Sequence, residues 1–222
     1  MKKIKLFLFL ASLIIFLVFI QFSYIVAKES WTKIDFDTTV KLQDRIPRRV
    51  DEFFSIFSVI GSAEVTVTFI LICSFLSLIR LRIWAAMAWL LIVPATTLEI
   101  FGKLVLFHPG PPVLFHRNVL AGELPLFHVI TNFSYPSGHM ARTAFIVTVL
   151  CAVFYFQIKN WLYKILILSG LLGFLGMMFL TRVYLGEHWL SDVVGGTLLG
   201  MSSGLFAAIF IVKFKNPPLS KI

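Results

Sequence analysis

Residues 6–26 run for 21 positions without one Asp, Glu, Lys or Arg. At about 1.5 Å of rise per residue, a helix of that length crosses the roughly 30 Å hydrocarbon core of a bilayer. Apolar segments at 62–79, 83–101, 161–180 and 192–212 read as further crossings. The segment 139–156 completes the set, with Arg142 near its start. Composition agrees, since 59% of the residues are hydrophobic, 14% are charged and 24 are Phe, more than a soluble core of 222 residues needs. The expected fold class is all-α, a six-transmembrane-helix bundle in one domain over 1–222.

Met1-Lys2-Lys3-Ile4-Lys5 ahead of the first apolar run imitates a secretory signal. The run is longer than the roughly 7–15 residues of such a signal, and no small-x-small cleavage motif follows it. An uncleaved first helix is expected.

Charge sets the orientation. With the amino terminus in the cytoplasm, the inner pieces hold Lys2, Lys3, Lys5, Arg80, Arg82, Lys159, Lys164, Lys213, Lys215 and Lys221, and no acid. The other ten Lys and Arg, and all eleven Asp and Glu, fall on or near the opposite side. Cations in short loops favour cytoplasmic retention, and the two long outer loops are less bound by that rule. The net charge of +9 thus reports topology, with both termini inside. It needs no nucleic acid to explain it, and no basic face with exposed aromatics is visible. Cys73 and Cys151 fall inside predicted helices as small packing residues, so no disulfide or thiolate metal site is suggested.

Two external segments are long. In 28–54 and just beyond, Val50, Phe53, Phe54 and Phe57 recur at helical spacing. They suit an amphipathic helix on the membrane surface, or equally a lead-in to the second crossing. The other long segment, 103–135, holds Pro109, Pro111 and Pro112, so its start is not helical. Residues 213–222 form a polar tail, expected to be disordered. Asn132-Phe133-Ser134 matches a glycosylation sequon, a short and common pattern.

Three polar clusters interrupt the apolar chain, all on the extracytoplasmic side of this topology. Ionisable groups at membrane depth are costly, so such grouping points to function. The strongest cluster runs from Thr181 and Arg182 to His188 and Asp192. His188 and Asp192 are four apart, so on a helix they share a face. A carboxylate bonded to one imidazole nitrogen fixes the tautomer and leaves the other nitrogen free to attack. Arg182 presents a planar fork to phosphate oxygens. The bland reading is an interfacial His, a helix-capping Asp and a snorkelling Arg.

The second cluster is Tyr135-Pro136-Ser137-Gly138-His139, just before an apolar helix. Gly lets backbone approach an anion, and unpaired amides at a helix start make a phosphate site. His139 stands at its edge, where an imidazolium can protonate a leaving oxygen. Its bland reading is a Pro-Gly turn with an incidental His. In the third cluster, Lys103 follows the third crossing, ahead of His108, Pro109, Gly110 and Pro111. Alone, such a Lys is ordinarily a snorkelling anchor.

Together these residues resemble the type-2 phosphatidic acid phosphatase superfamily, which includes membrane lipid phosphatases and vanadium haloperoxidases. The family pattern is Lys-x6-Arg-Pro, then Pro-Ser-Gly-His, then Ser-Arg-x5-His-x3-Asp. The second part is intact at 136–139, and the third is Thr181-Arg182, His188 and Asp192 at the same spacing, with Thr for Ser. The resemblance implies a catalytic core at about 60–212. It implies that His188 is the nucleophile forming a phosphohistidine, that Asp192 orients it, and that His139 protonates the leaving group and then activates water. Lys103, Ser137, Gly138 and Arg182 would hold the phosphate oxygens, with no metal or other cofactor.

The first part departs from the pattern, because Gly110 stands where the family has Arg, although Pro111 is in place. Arg142, three residues after His139 on the same helical face, is the expected substitute, with His108 and Arg117 as rivals. The function expected is hydrolysis of a lipid phosphate or diphosphate at the extracytoplasmic face. Undecaprenyl diphosphate comes first among candidates that include phosphatidylglycerol phosphate, phosphatidic acid and phosphorylated glycolipids. The alternatives are a phosphotransferase with the same site, and a membrane protein that binds lipid phosphate without turnover.

Overall fold

Capping side chains and proline mark where the apolar segments of this chain begin and break as helices. The computed structural model describes residues 2–120 and 133–212; the 213–222 tail and Asn132 of the sequon lie outside them. The helices are α1 (Lys2–Ala27), α2 (Thr32–Arg45), α3 (Asp51–Ile60), α4 (Ala63–Ile79), α5 (Ile83–Trp89), α6 (Ile92–Val105), α7 (Gly138–Gln157), α8 (Trp161–Tyr184) and α9 (Leu190–Ile211). Among the described residues there is no strand, only an isolated bridge between Pro109 and Phe133. Ser62 caps α4 by accepting from the Val65 amide at 3.3 Å, and Asn160 caps α8 by accepting from Leu162 at 2.9 Å.

Among the described residues, five stretches are long and apolar enough to cross a membrane, and the α3–α4 pair makes a sixth, bent by 44°. The protein is a multi-pass, all-α membrane protein. Leu71, Phe75, Ile79, Leu166 and Leu172 face outward, as a lipid-facing surface requires.

The crossing expected over 83–101 is one span in two pieces, α5 and α6, with Leu90 and Leu91 between them. Pro94 explains the break. It has no N–H for the Leu90 carbonyl and its ring would collide with that carbonyl in a continuous helix. Leu90 O instead accepts from the Val93 amide at 2.9 Å.

Residues 28–60 build two helices rather than one. Val50 ends a short 3-10 turn, and α3 leads directly into α4. The apolar face of α3 is covered by α8, where Phe54 meets Tyr184 at 5.1 Å and Phe57 meets Phe174 at 5.9 Å between ring centroids.

Helix α9 lies at the centre, against α1 and α7. Its stripe of Gly196, Gly200 and Gly204 lets the α7 backbone approach. A Cβ at Gly200 would stand 2.2 Å from the Ala141 carbonyl, and one at Gly196 would stand 2.3 Å from that of Ser137. Close backbone approach through small residues is how helices associate where no hydrophobic effect separates them from lipid. On the α1 side, Ser12 Oγ donates to the Ser202 carbonyl at 2.8 Å. This packing brings the carboxyl ends of α6 and α8 and the amino ends of α4, α7 and α9 to one end of the bundle. Arg82, which donates to the Ile211 carbonyl at 2.5 Å, marks the other end.

Candidate active site

The turn after α8 delivers His188, and Asp192 follows in the first turn of α9. His188 Nδ1 lies 3.3 Å from Asp192 Oδ2. The same oxygen accepts from the Trp189 amide at 2.9 Å, so Asp192 caps its own helix while holding the imidazole. Asp192 is fully buried. The Ser137 amide donates to the Asp192 carbonyl at 3.0 Å, which stitches the start of α7 to the start of α9. Ser137 Oγ caps α7 by accepting from the Met140 amide at 3.5 Å.

That stitch sets His139 opposite His188, with ring centroids 6.4 Å apart. Arg182, Arg142, His188 and Lys103 all lie within electrostatic reach of the His139 ring. The sequence-assigned residues thus converge at one end of the bundle.

Each of the three cations engages a carboxylate that sequence reasoning did not single out. Lys103 Nζ lies 2.9 Å from Glu99 Oε1, and Arg142 NH1 lies 3.4 Å from Glu99 Oε2. Arg142 Nε also donates to Thr66 Oγ1 at 3.1 Å. Arg182, wholly buried, bonds Glu187 and Ser58, and Glu187 in turn bonds Asn118. The Glu99 carboxylate rests on Gly138, where an added Cβ would stand 2.3 Å from Oε1. Glu99 was visible in principle as an acid inside an apolar segment, one turn before Lys103.

The rivals of Arg142 point elsewhere. Arg117 bonds the Tyr184 hydroxyl at 3.1 Å and the Ile46 carbonyl at 3.5 Å. His108 lies behind the dyad, its Nε2 3.6 Å from Asp192 Oδ1 and 3.9 Å from Asp35 Oδ2. Both Asp35 oxygens accept from Ser191, from its amide at 2.7 Å and its hydroxyl at 2.8 Å. Burial pushes the Asp35 carboxyl above its ordinary range, against the downward pull of the Ser191 bonds. Burial likewise raises the Tyr135 phenol, whose hydroxyl bonds Ser23 at 2.8 Å.

A helical membrane bundle with facing histidines, one of them on a carboxylate, and cations around them defines a class. The chain belongs to the PAP2 superfamily, whose family model matches residues 95–216. Among curated proteins it is similar to phosphatidylglycerophosphatase B of Bacillus subtilis (strain 168), 37% identical over 83 residues. That match covers 35% of this chain and 38% of the relative's length. Two solved structures share the fold. One is the transmembrane PAP2 type phosphatidylglycerolphosphate phosphatase from Bacillus subtilis, with a TM-score of 0.68 at 20% identity, covering 88% of this chain and 93% of that one. The other is Aquifex aeolicus LpxE, with a TM-score of 0.54 at 22% identity, covering 78% and 94%.

Proposed function

We propose that this protein is a lipid phosphatase, a single domain that hydrolyses a lipid phosphate or diphosphate through a phosphohistidine on His188. The observation that carries the reading is the His188–Asp192 pair facing His139 across 6.4 Å. Asp192 holds the proton on Nδ1 and stabilises the imidazolium that forms, so Nε2 attacks phosphorus. His139 gives its proton to the leaving oxygen, then takes one from the water that attacks the phosphohistidine. Lys103, Arg142 and Arg182, with the Ser137–Gly138 start of α7, hold the phosphoryl oxygens. Arg142 serves for the Arg that Gly110 replaces. Side-chain cations and backbone dipoles supply the charge stabilisation, and the reaction as read is independent of metal.

A lipid substrate is supported by an apolar cavity of about 200 Å³ that opens between α4, α7 and α8. Thr66, the partner of Arg142, lines it together with Phe69, Leu150, Leu171 and Phe174. On this reading the cavity takes part of one lipid chain, and Thr66 links it to the cation Arg142. The names of the relatives put phosphatidylglycerol phosphate beside undecaprenyl diphosphate as the first substrates to test. Lys and Arg asymmetry supports an extracytoplasmic site with both termini inside.

The test is phosphate release by the purified protein from a panel of these lipids, with His188→Ala alongside. Release by the wild type that disappears in the variant is expected, together with an acid-labile, base-stable phosphoenzyme in rapid-quench samples. Wild-type protein that binds the lipids without releasing phosphate would overturn the phosphatase reading.

A further inference from the structure

The Asp192 carboxylate is supported unevenly. Oδ2 accepts from two donors, whereas Oδ1 is buried and has no hydrogen bond among the described residues. A buried carboxylate oxygen left without a donor is destabilising, so a donor close by matters. The group facing it is His108 Nε2, at 3.6 Å.

The polarity of His108 follows from its neighbours. Ser191 gives both its donors to Asp35, the amide to Oδ1 at 2.7 Å and the hydroxyl to Oδ2 at 2.8 Å. With its proton committed, the Ser191 hydroxyl can only accept from the ring nitrogen 3.3 Å away. His108 Nε2 therefore carries a hydrogen, and that N–H points between Ser191 Oγ and Asp192 Oδ1. Asp35 on α2 thus sets the direction of every bond in a chain that ends on the carboxylate holding His188. Asp35 lies outside the 95–216 family match, and His108 stands in the segment where the chain departs from the family pattern.

We propose that His108 and Asp35 are positioning residues for the His188–Asp192 pair. The His108 N–H supports the second oxygen of Asp192, and Asp35, through Ser191, keeps that N–H a donor. The carboxylate plane stays turned so that Oδ2 remains on His188 Nδ1. This inference rests on the phosphatase reading above. It makes the amino-terminal segment part of the catalytic unit rather than an anchor for it.

Two near-isosteric changes test it. Asp35→Asn keeps the shape but offers an N–H to Ser191, which reverses the chain and turns the His108 lone pair toward Asp192. His108→Gln keeps a donor near Nε2, and His108→Leu removes it. Turnover and KM are measured for each in detergent on one lipid phosphate, beside the wild type and His188→Ala. Asp35→Asn and His108→Leu are expected to lower kcat roughly 10–100-fold with KM within about twofold, and His108→Gln to recover most of the loss. A cooperative melting transition in each variant would establish that it folds, and Asp35→Asn and His108→Gln decide the matter if His108→Leu does not. A wild-type kcat in Asp35→Asn would overturn the proposal, as would a His108→Gln no better than His108→Leu or a loss confined to KM. An inactive wild type instead defeats the phosphatase reading, and this inference with it.

Discussion

Glu99 Oε1 lies 2.9 Å from Lys103 Nζ, one helical turn away on the same face of α6. Its other oxygen is 3.4 Å from Arg142, and the whole carboxylate lies over Gly138 at the start of α7. On the proposed reading, an internal anion sits among the groups that receive phosphate. Phosphate must share the two cations with it. Glu99→Gln removes the competing charge while keeping the size, so inorganic phosphate should inhibit the variant about fivefold or more tightly than the wild type. Inhibition constants at fixed pH and ionic strength check this. Unchanged or weaker inhibition would show that Glu99 organises the cations without competing for them.

Arg142 is the residue proposed to stand in for the family Arg. Removing one preorganised cation from a developing phosphoryl charge costs on the order of 10²–10³ in rate. Arg142→Ala should lose turnover on that scale, and Arg142→Lys should lose less. The measurement is kcat/KM on one lipid phosphate, and undiminished turnover in Arg142→Ala would remove it from the site.

Asp35 has a pH signature. Burial raises its folded value above its unfolded one, so the folded state holds the proton more tightly. The stability linked to it is complete below about pH 4, the ordinary value for Asp, and is lost as pH rises through the raised folded value. Asp35→Asn removes that loss. Melting curves from pH 4 to 7 should move in favour of the variant as pH rises, and a constant difference across the range would contradict the assignment.

The stripe on α9 predicts where the bundle resists change. Gly200→Ala puts a methyl group 2.2 Å from the Ala141 carbonyl and 2.8 Å from Ala144 Cβ, so α7 must move. Overpacking of this kind costs about 1–3 kcal/mol. Melting temperature should fall by about 2–4 °C for each kcal/mol in a chain of this size. The same change at Gly173, with nothing within 4 Å, is the control.

Local spacing made much of the molecule legible. Uncharged runs of about 20 residues specify crossings because lipid forces every backbone group to bond within its own segment. The i, i+4 relation of His188 and Asp192 brings their side chains together in any helix, whatever surrounds it. The same rule offered Glu99 with Lys103, where the signal lay in an acid inside an apolar segment. Pro94, which lacks an N–H, carries the local reason for the break between α5 and α6, although the apolar run over 83–101 reads as one uninterrupted crossing.

What sequence spacing did not decide was which distant segments meet. Ser58 on Arg182, Asp35 on Ser191, and His108 behind Asp192 are contacts between segments far apart in the chain. Periodicity says which face of a helix is apolar and nothing about which helix covers it. The sequence by itself determined an all-α membrane chain and the family motifs that mark its site. Only the tertiary structure, through the close approach of α7 to α9 and the seating of α2 on α8 and α9 and of α3 on α8, decided how those motifs converge and that Glu99 reaches Arg142 as well as Lys103.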